Sequence, residues 1–171
     1  VHGCELTRYT RPPRLLPEAI VCALGERIAR ALAHAHRRGI VHRDLKPGNV
    51  LIDLPTGRLK LADFGIAGIA DAARTRTGVV LGTPRYMAPE QMEGSHAVDH
   101  RSDIYSLGVV LYEMLTGEVP AGHFDPPSKK VEVDVRLDHV VLRSLAQEPQ
   151  RRYQHASDVK TDVEFISRTA R

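Results

Sequence analysis

The residues able to do chemistry gather in two short stretches, His42-Arg43-Asp44-Leu45-Lys46-Pro47-Gly48-Asn49 and Asp63-Phe64-Gly65. Between them, apolar runs at 49–52 and 58–62 flank Asp53-Leu54-Pro55-Thr56-Gly57, a pattern that predicts a β-hairpin with a longer loop. A hairpin brings its two ends together, so Asn49 at its start and Asp63 just past its end are expected side by side. Paired hard oxygen donors suit Mg²⁺, which commonly completes its shell with phosphate oxygens and water. Asp44 lies in the turn that leads into the hairpin, where its carboxylate can accept a proton from an attacking hydroxyl. Lys46, two residues on, can offset charge on a transferring phosphoryl group. A base, a cation and two metal ligands form a phosphoryl-transfer constellation.

These two stretches resemble the catalytic loop and the metal-binding Asp-Phe-Gly of bacterial eukaryotic-like (Hanks-type) serine/threonine protein kinases. Further signatures follow in the family's order: Ala88-Pro89-Glu90, which closes Gly82-Thr83-Pro84-Arg85-Tyr86-Met87, then Asp103-Ile104-Tyr105-Ser106-Leu107-Gly108, then Arg152. The resemblance implies ATP and Mg²⁺ (or Mn²⁺) as cofactors, and protein substrates with Ser or Thr acceptors. It implies Asp44 as the catalytic base, Lys46 on the γ-phosphate, and Asn49 and Asp63 as the metal ligands. Thr83 would serve substrate docking by bonding toward Asp44 and Lys46. Near the start, Val1-His2-Gly3-Cys4-Glu5-Leu6 resembles the end of the hinge, with Glu5 on the ribose and Leu6 and Leu51 flooring the adenine. His42 is read as structural, packing near Phe64 and bonding toward Asp103, and Arg152 as the ion-pair partner of Glu90. Leu45-Lys46-Pro47-Gly48 stands where tyrosine kinases carry Ala-Ala-Arg or Arg-Ala-Ala, which points to serine or threonine as acceptor.

The elements that must position these groups are mostly helical. Pro17 to Arg38 reads as a helix, with Pro17 at a tolerated first position, Ile20, Leu24, Ile28 and Leu32 every fourth residue, and Gly39 as its stop. Arg101–Thr116 has almost no polar face and is placed at the centre of the core, ending at Gly117. Shorter amphipathic helices are expected near Leu137–Gln147 and Ala156–Ser167. Residues 1–16 read as irregular, 63–100 as one long ordered loop, and 118–136 as a Pro-containing connector. The expected fold is mainly α (α+β). With the resemblance, that becomes a protein-kinase C-terminal lobe over residues 1–171, its helices around a buried central helix and its small β-hairpin carrying the active site.

Composition sets bounds on partners. The 171 residues are 42% apolar and 26% charged, with a formal net charge of +3, too small and too scattered to argue for nucleic acid or an anionic membrane. Cys4 and Cys22 cannot frame a disulfide scaffold, which favours a cytoplasmic setting. No stretch approaches the ~20 apolar residues of a membrane span. A full-length protein tethered to a membrane would keep this part on the cytoplasmic side.

Several other residues have plainer readings. His34 and His36 lie two apart on a helix and cannot share a face as a metal pair, so they read as surface or packing residues. The glycines at 65, 68, 78 and 82 follow no strand in a phosphate-binding pattern and read as loop flexibility. Cys22 reads as a small apolar residue of the first helix. Arg43 is a candidate partner for a phosphate on Thr75 or Thr77, which would add charge opposite it and order the 63–90 segment. The glycine-rich loop, strand lysine and helix glutamate that complete a protein kinase do not occur in these residues. The chain begins at Val1, at the resembled hinge, so the missing N-lobe of the same polypeptide is an expected partner and the isolated chain is expected to be inactive. Two alternatives stand beside the kinase reading: a non-enzymatic solitary lobe acting as an interaction module, and a small-molecule phosphotransferase of the same fold.

Overall fold

A computed structural model describes residues 3–64, 84–94 and 98–169. Its architecture is mainly helical, with one small antiparallel sheet, as the sequence predicts. The first helix, α1, spans Glu18–His36, one residue shorter at its start and two at its end than its periodicity suggests. Leu24, Ile28 and Leu32 are buried as expected, whereas Ile20 in the first turn is largely exposed. The hairpin consists of β2 (Val50–Asp53) and β3 (Arg58–Leu61). A third strand, β1 (Cys4–Glu5), pairs antiparallel with β2, so the segment read as irregular contributes the sheet's other edge. Two residues carry no periodicity of their own; their pairing exists only because β2 offers a free edge. The register sets Glu5 opposite Leu51, and Leu51 opposite Lys60, which puts all three on one face of the sheet.

The long segment after the hairpin holds a 3-10 turn at Pro84–Tyr86 and a single-turn helix α2 (Pro89–Met92) among its described residues. Proline opens both, where its missing N–H costs nothing. The core is organised on α3 (Arg101–Thr116), in which every residue from Ser102 to Leu115 except Tyr105 is buried. It stops at Gly117, whose φ of 80° lets its N–H return to the Glu113 carbonyl at 2.8 Å. The connector after it contains α4 (Pro127–Lys130), followed by α5 (Arg136–Ser144) and α6 (Ala156–Thr169). The most extensive helix contact joins α1 to α6. Gly108 fixes how closely α3 and α5 approach, since a Cβ there would stand 2.7 Å from the Ser144 Cβ and 3.2 Å from Leu145.

A buried charge ties three of these elements together. Arg152, 1% exposed, donates to Glu90 Oε1 and Oε2 at 2.7 and 2.8 Å, and its other N–H groups reach the carbonyls of Ala146, Gln147 and Arg101. All five guanidinium donors are thereby used, the condition under which a buried cation is tolerated. Burial opposes ionisation of Glu90, but the bidentate bonds and charge of Arg152 prevail and hold its carboxyl below the ordinary value of 4.5. A lowered folded-state pKa means stabilisation that is complete above the unfolded value and lost as pH falls through the folded one. Glu90→Gln, which leaves the Arg152 charge unmatched, is expected to cost about 3–5 kcal/mol at pH 7. In urea titrations across pH, that deficit should shrink as pH drops below the ordinary carboxylate range. A deficit independent of pH would show that the ion pair is not what Glu90 contributes. Separately, Gly108→Val should cost at least about 1–3 kcal/mol by overpacking the α3–α5 contact.

Candidate active site

The loop from His42 to Asn49 is held from below by one carboxylate. Asp103, 1% exposed in the first turn of α3, accepts the His42 N–H on Oδ2 and the Arg43 N–H on Oδ1, both at 2.8 Å. Its Oδ2 also accepts from His36 Nε2 at 2.8 Å, so His36 is a positioning residue and not the plain surface or packing residue its helix spacing suggests. That role has no local signature, because the partner lies 67 residues away. Arg43 takes a left-handed φ of 64°, uncommon for a side chain with a Cβ. Both of its peptide groups are pinned, the N–H by Asp103 and the carbonyl by Gln91 Nε2 at 3.0 Å. Gln91 Oε1 meanwhile accepts from the Ala88 N–H at 3.0 Å, so one amide side chain joins the start of α2 to the catalytic-type loop. The sequence reading passed over Gln91; its place directly after Ala88-Pro89-Glu90, three residues beyond an N-cap position, was the available signal.

His42 connects this loop to the hairpin. Its backbone N–H, and not its ring, bonds Asp103, while ring Nδ1 accepts from the Asp44 N–H at 3.2 Å. That leaves Nε2 protonated, and it donates to the Ala62 carbonyl at 2.8 Å. The ring also packs against Phe64, with centroids 4.5 Å apart. Ala62 in turn donates its N–H to the Asn49 carbonyl at 2.8 Å. Both peptide groups of Ala62, the residue before Asp63, are therefore anchored, one to the start of the hairpin and one to the loop. Asp63 itself takes a φ of 57°, a second left-handed residue at the same place.

The geometry around Asp44 is specific. Asn49 Nδ2 donates to the Asp44 backbone carbonyl at 2.8 Å and to its Oδ2 at 3.0 Å. Lys46 Nζ stands 3.1 Å from the same Oδ2, both side chains being about one-third exposed. With its amide nitrogen committed, Asn49 has Oδ1 left as an oxygen donor. That oxygen and the Asp63 carboxylate are the hard ligand set a Mg²⁺ ion takes beside phosphates, so these residues fit the metal that the sequence implies. Glu5 lies close by, since its Oε2 is 3.9 Å from where a Gly48 Cβ would be. Leu51 shares its sheet face and is half-buried. Leu6 departs from its expected role: it is fully buried in the core and offers no surface to an adenine.

The segment 84–94 is stitched onto α3 beneath the loop. Ser106 Oγ donates to the Tyr86 carbonyl and the Tyr86 hydroxyl donates to Glu113 Oε2, each at 2.7 Å. Burial and the Glu113 carboxylate both push the Tyr86 phenol well above its ordinary value, so it stays a donor. Thr75, Thr77 and Thr83 lie outside the described residues.

This chain matches the protein kinase domain family over residues 1–169. It belongs to that family. It is 43% identical over 169 residues to the serine/threonine-protein kinase PknB of Mycobacterium leprae, covering 89% of this chain and 26% of that protein. To Pkn1, the serine/threonine-protein kinase of Myxococcus xanthus, it is 42% identical over 171 residues, covering 88% and 24%. The crystal structure of the Mycobacterium tuberculosis PknI kinase domain matches with a TM-score of 0.77 at 32% identity, over 96% of this chain and 63% of that one. The fold is thus that of a protein kinase, and the chain spans about a quarter of the length of these curated relatives. No helix among the described residues is long and apolar enough to cross a membrane.

Asp103→Ala removes the acceptor for three donors at once, each costing about 1–3 kcal/mol when left buried and unmatched. A loss of at least about 3 kcal/mol is expected in urea denaturation. Gln91→Glu keeps the Ala88 contact but sets a carboxylate against the Arg43 carbonyl, for a loss of about 1 kcal/mol. Wild-type stability in Asp103→Ala would overturn the clamp.

Proposed function

We propose that this chain is the larger, C-terminal lobe of a serine/threonine protein kinase catalytic domain, one that transfers the ATP γ-phosphoryl group to Ser or Thr hydroxyls of proteins. The observation that carries the reading is the Asp44–Asn49–Lys46 cluster, in which a carboxylate is aimed by an amide and shared with an ammonium 3.1 Å away. Asp44 accepts the proton of the acceptor hydroxyl as its oxygen bonds to the γ-phosphorus, and the bond from that phosphorus to the β–γ bridging oxygen breaks to release ADP. Lys46 moves between Asp44 and the γ-phosphoryl oxygens, where its charge offsets what accumulates there. Asn49 Oδ1 and Asp63 would hold Mg²⁺, which neutralises phosphate charge and fixes the nucleotide's position. Glu5 and Leu51, on one sheet face, suit the ribose and the adenine.

Positioning supplies most of the catalysis in this chemistry. A glycine-rich loop over the phosphates and a strand lysine are absent from these 171 residues, so the reading places them on further polypeptide. Arg43, which is exposed, is the proposed docking point for a phosphate on Thr75 or Thr77.

In a kinase domain that includes this chain together with the glycine-rich loop and strand lysine, Asp44→Asn should reduce phosphate transfer by at least about 10³-fold while nucleotide binding stays near wild type. Asp63→Asn should weaken Mg²⁺-dependent nucleotide binding as well. Radiolabelled-phosphate transfer and fluorescent-nucleotide titration separate the two effects. Wild-type turnover in Asp44→Asn would remove the base assignment. The 171-residue chain alone is expected to show no transfer, and robust labelling of a protein substrate by it would overturn that.

A further inference from the structure

At the C-terminal end of α1, three histidines from three parts of the chain meet at one cavity. It measures about 340 Å³ and is lined by Ala33, His36, Arg37, His100, His155, Ala156 and Ser157. His36 comes from the end of α1, His100 directly precedes α3, and His155 directly precedes α6. Their rings form a row, with centroids 5.2 Å apart for His36–His100 and 6.0 Å for His100–His155.

The hydrogen bonds of the inner two rings decide where their lone pairs are. His36 Nε2 faces an Asp103 oxygen, an acceptor, at 2.8 Å and is therefore the donor of that bond. Its Nδ1 is then an acceptor, and it is the buried side-chain atom that has no hydrogen-bond partner among the described residues. His100 Nε2 likewise donates to the Gln154 carbonyl at 2.6 Å, which leaves Nδ1 as its acceptor. An imidazole whose far N–H is bound to a carboxylate or a backbone carbonyl is the arrangement that orients a metal-ligating histidine and raises its basicity. Two such rings on one tetrahedral ion, at metal–nitrogen distances of about 2.0–2.1 Å, place their centroids about 5 Å apart. The His36–His100 spacing matches.

We propose that this cavity binds a divalent first-row transition-metal ion of the Zn²⁺ class through Nδ1 of His36 and Nδ1 of His100. As the side chains stand, no group of three ligand-type residues among those described is arranged to hold a metal. The site therefore offers two rings at a ligating spacing and a third to be recruited: His155, exposed at the cavity mouth, reaches the ion by rotating its side chain, and water completes the shell. Arg37 also lines the cavity and opposes a cation, but it is exposed and extends into solvent. Imidazole nitrogens select Zn²⁺, Co²⁺, Ni²⁺ or Cu²⁺ over Mg²⁺, so this ion and the one expected at Asn49 and Asp63 do not compete. Metal on Nδ1 also makes the His36 Nε2–H a stronger donor to Asp103, the residue that carries the His42 and Arg43 N–H groups. Occupancy is thereby coupled to the stiffness of the catalytic-type loop.

The proposal is independent of phosphoryl transfer, and its test uses no activity. The purified chain, without any affinity tag that contains histidine, is titrated with Zn²⁺ by calorimetry and with Co²⁺ by visible absorption. One ion per chain should bind, with a tetrahedral Co²⁺ band, and millimolar Mg²⁺ should not displace it. His100→Gln and His155→Ala alter an intermediate and an exposed residue, and each should weaken binding by at least about tenfold. Unchanged affinity in both variants would place the ion elsewhere and overturn the site, as would an absence of binding in the wild type. For a readout that needs no variant, the ¹⁵N resonance of His36 Nδ1 should shift on saturation with Zn²⁺. An unmoved resonance in the metal-loaded chain would equally end the proposal.

Discussion

The Asp103 carboxylate is the constraint on which the rest of this lobe depends. It sits in the first turn of the most buried helix, where the free N–H groups of the helix favour a negative charge. From there it holds two consecutive backbone N–H groups of the loop above and one imidazole of α1. A buried carboxylate is costly unless its lone pairs are used, so the charge and the loop geometry stabilise each other. Arg43 adopts its left-handed backbone because Asp103 and Gln91 leave its peptide groups no other orientation. With Arg43 set, Asp44 faces Asn49, His42 faces Ala62, and Asp63 is delivered to the same edge. The chemistry of the site is thus a consequence of one acid placed under the loop.

The second buried charge does a different task. Arg152 gathers Glu90, the start of α3 and the turn after α5 around one guanidinium, and it makes no direct bond to the His42–Asn49 loop. It holds Glu90 in α2, and the next residue, Gln91, touches Arg43. One ionic anchor thus fixes α2 to the body of the lobe, and one neutral amide relays its position to the loop. Tyr86, through the Glu113 carboxylate, and Ser106 add further bonds between the segment 84–94 and α3.

Much of this was legible from residue types and spacing. The eight residues from His42 to Asn49 hold the proposed base, cation and one proposed metal ligand, so Asp44, Lys46 and Asn49 are close neighbours in the chain before any distant contact is made. The apolar run of 101–116 could only be a buried helix. What escaped the sequence reading depends on distant partners. His36 looked like an ordinary helix residue because its function is a bond to α3. Leu6 follows a hinge pattern yet turns into the core, and the pattern does not encode which way it faces. The strand at Cys4–Glu5 exists only because β2 has an edge to pair with. Gln91 acts through two bonds in opposite directions, and neither is implied by its neighbours.

The packing of α1 against α6 has a consequence for how the lobe comes into being. The face of α1 that carries Leu24, Ile28 and Leu32 leaves the ribosome well before α6, its main helical cover. At elongation rates of about 5–20 residues per second the interval is on the order of ten seconds, long compared with hydrophobic collapse. During it the nascent chain presents an uncovered helix to chaperones. Removal of α6 would therefore leave α1 without its main helical cover, and the loop tied to α1 through His36 and Asp103 would lose support with it.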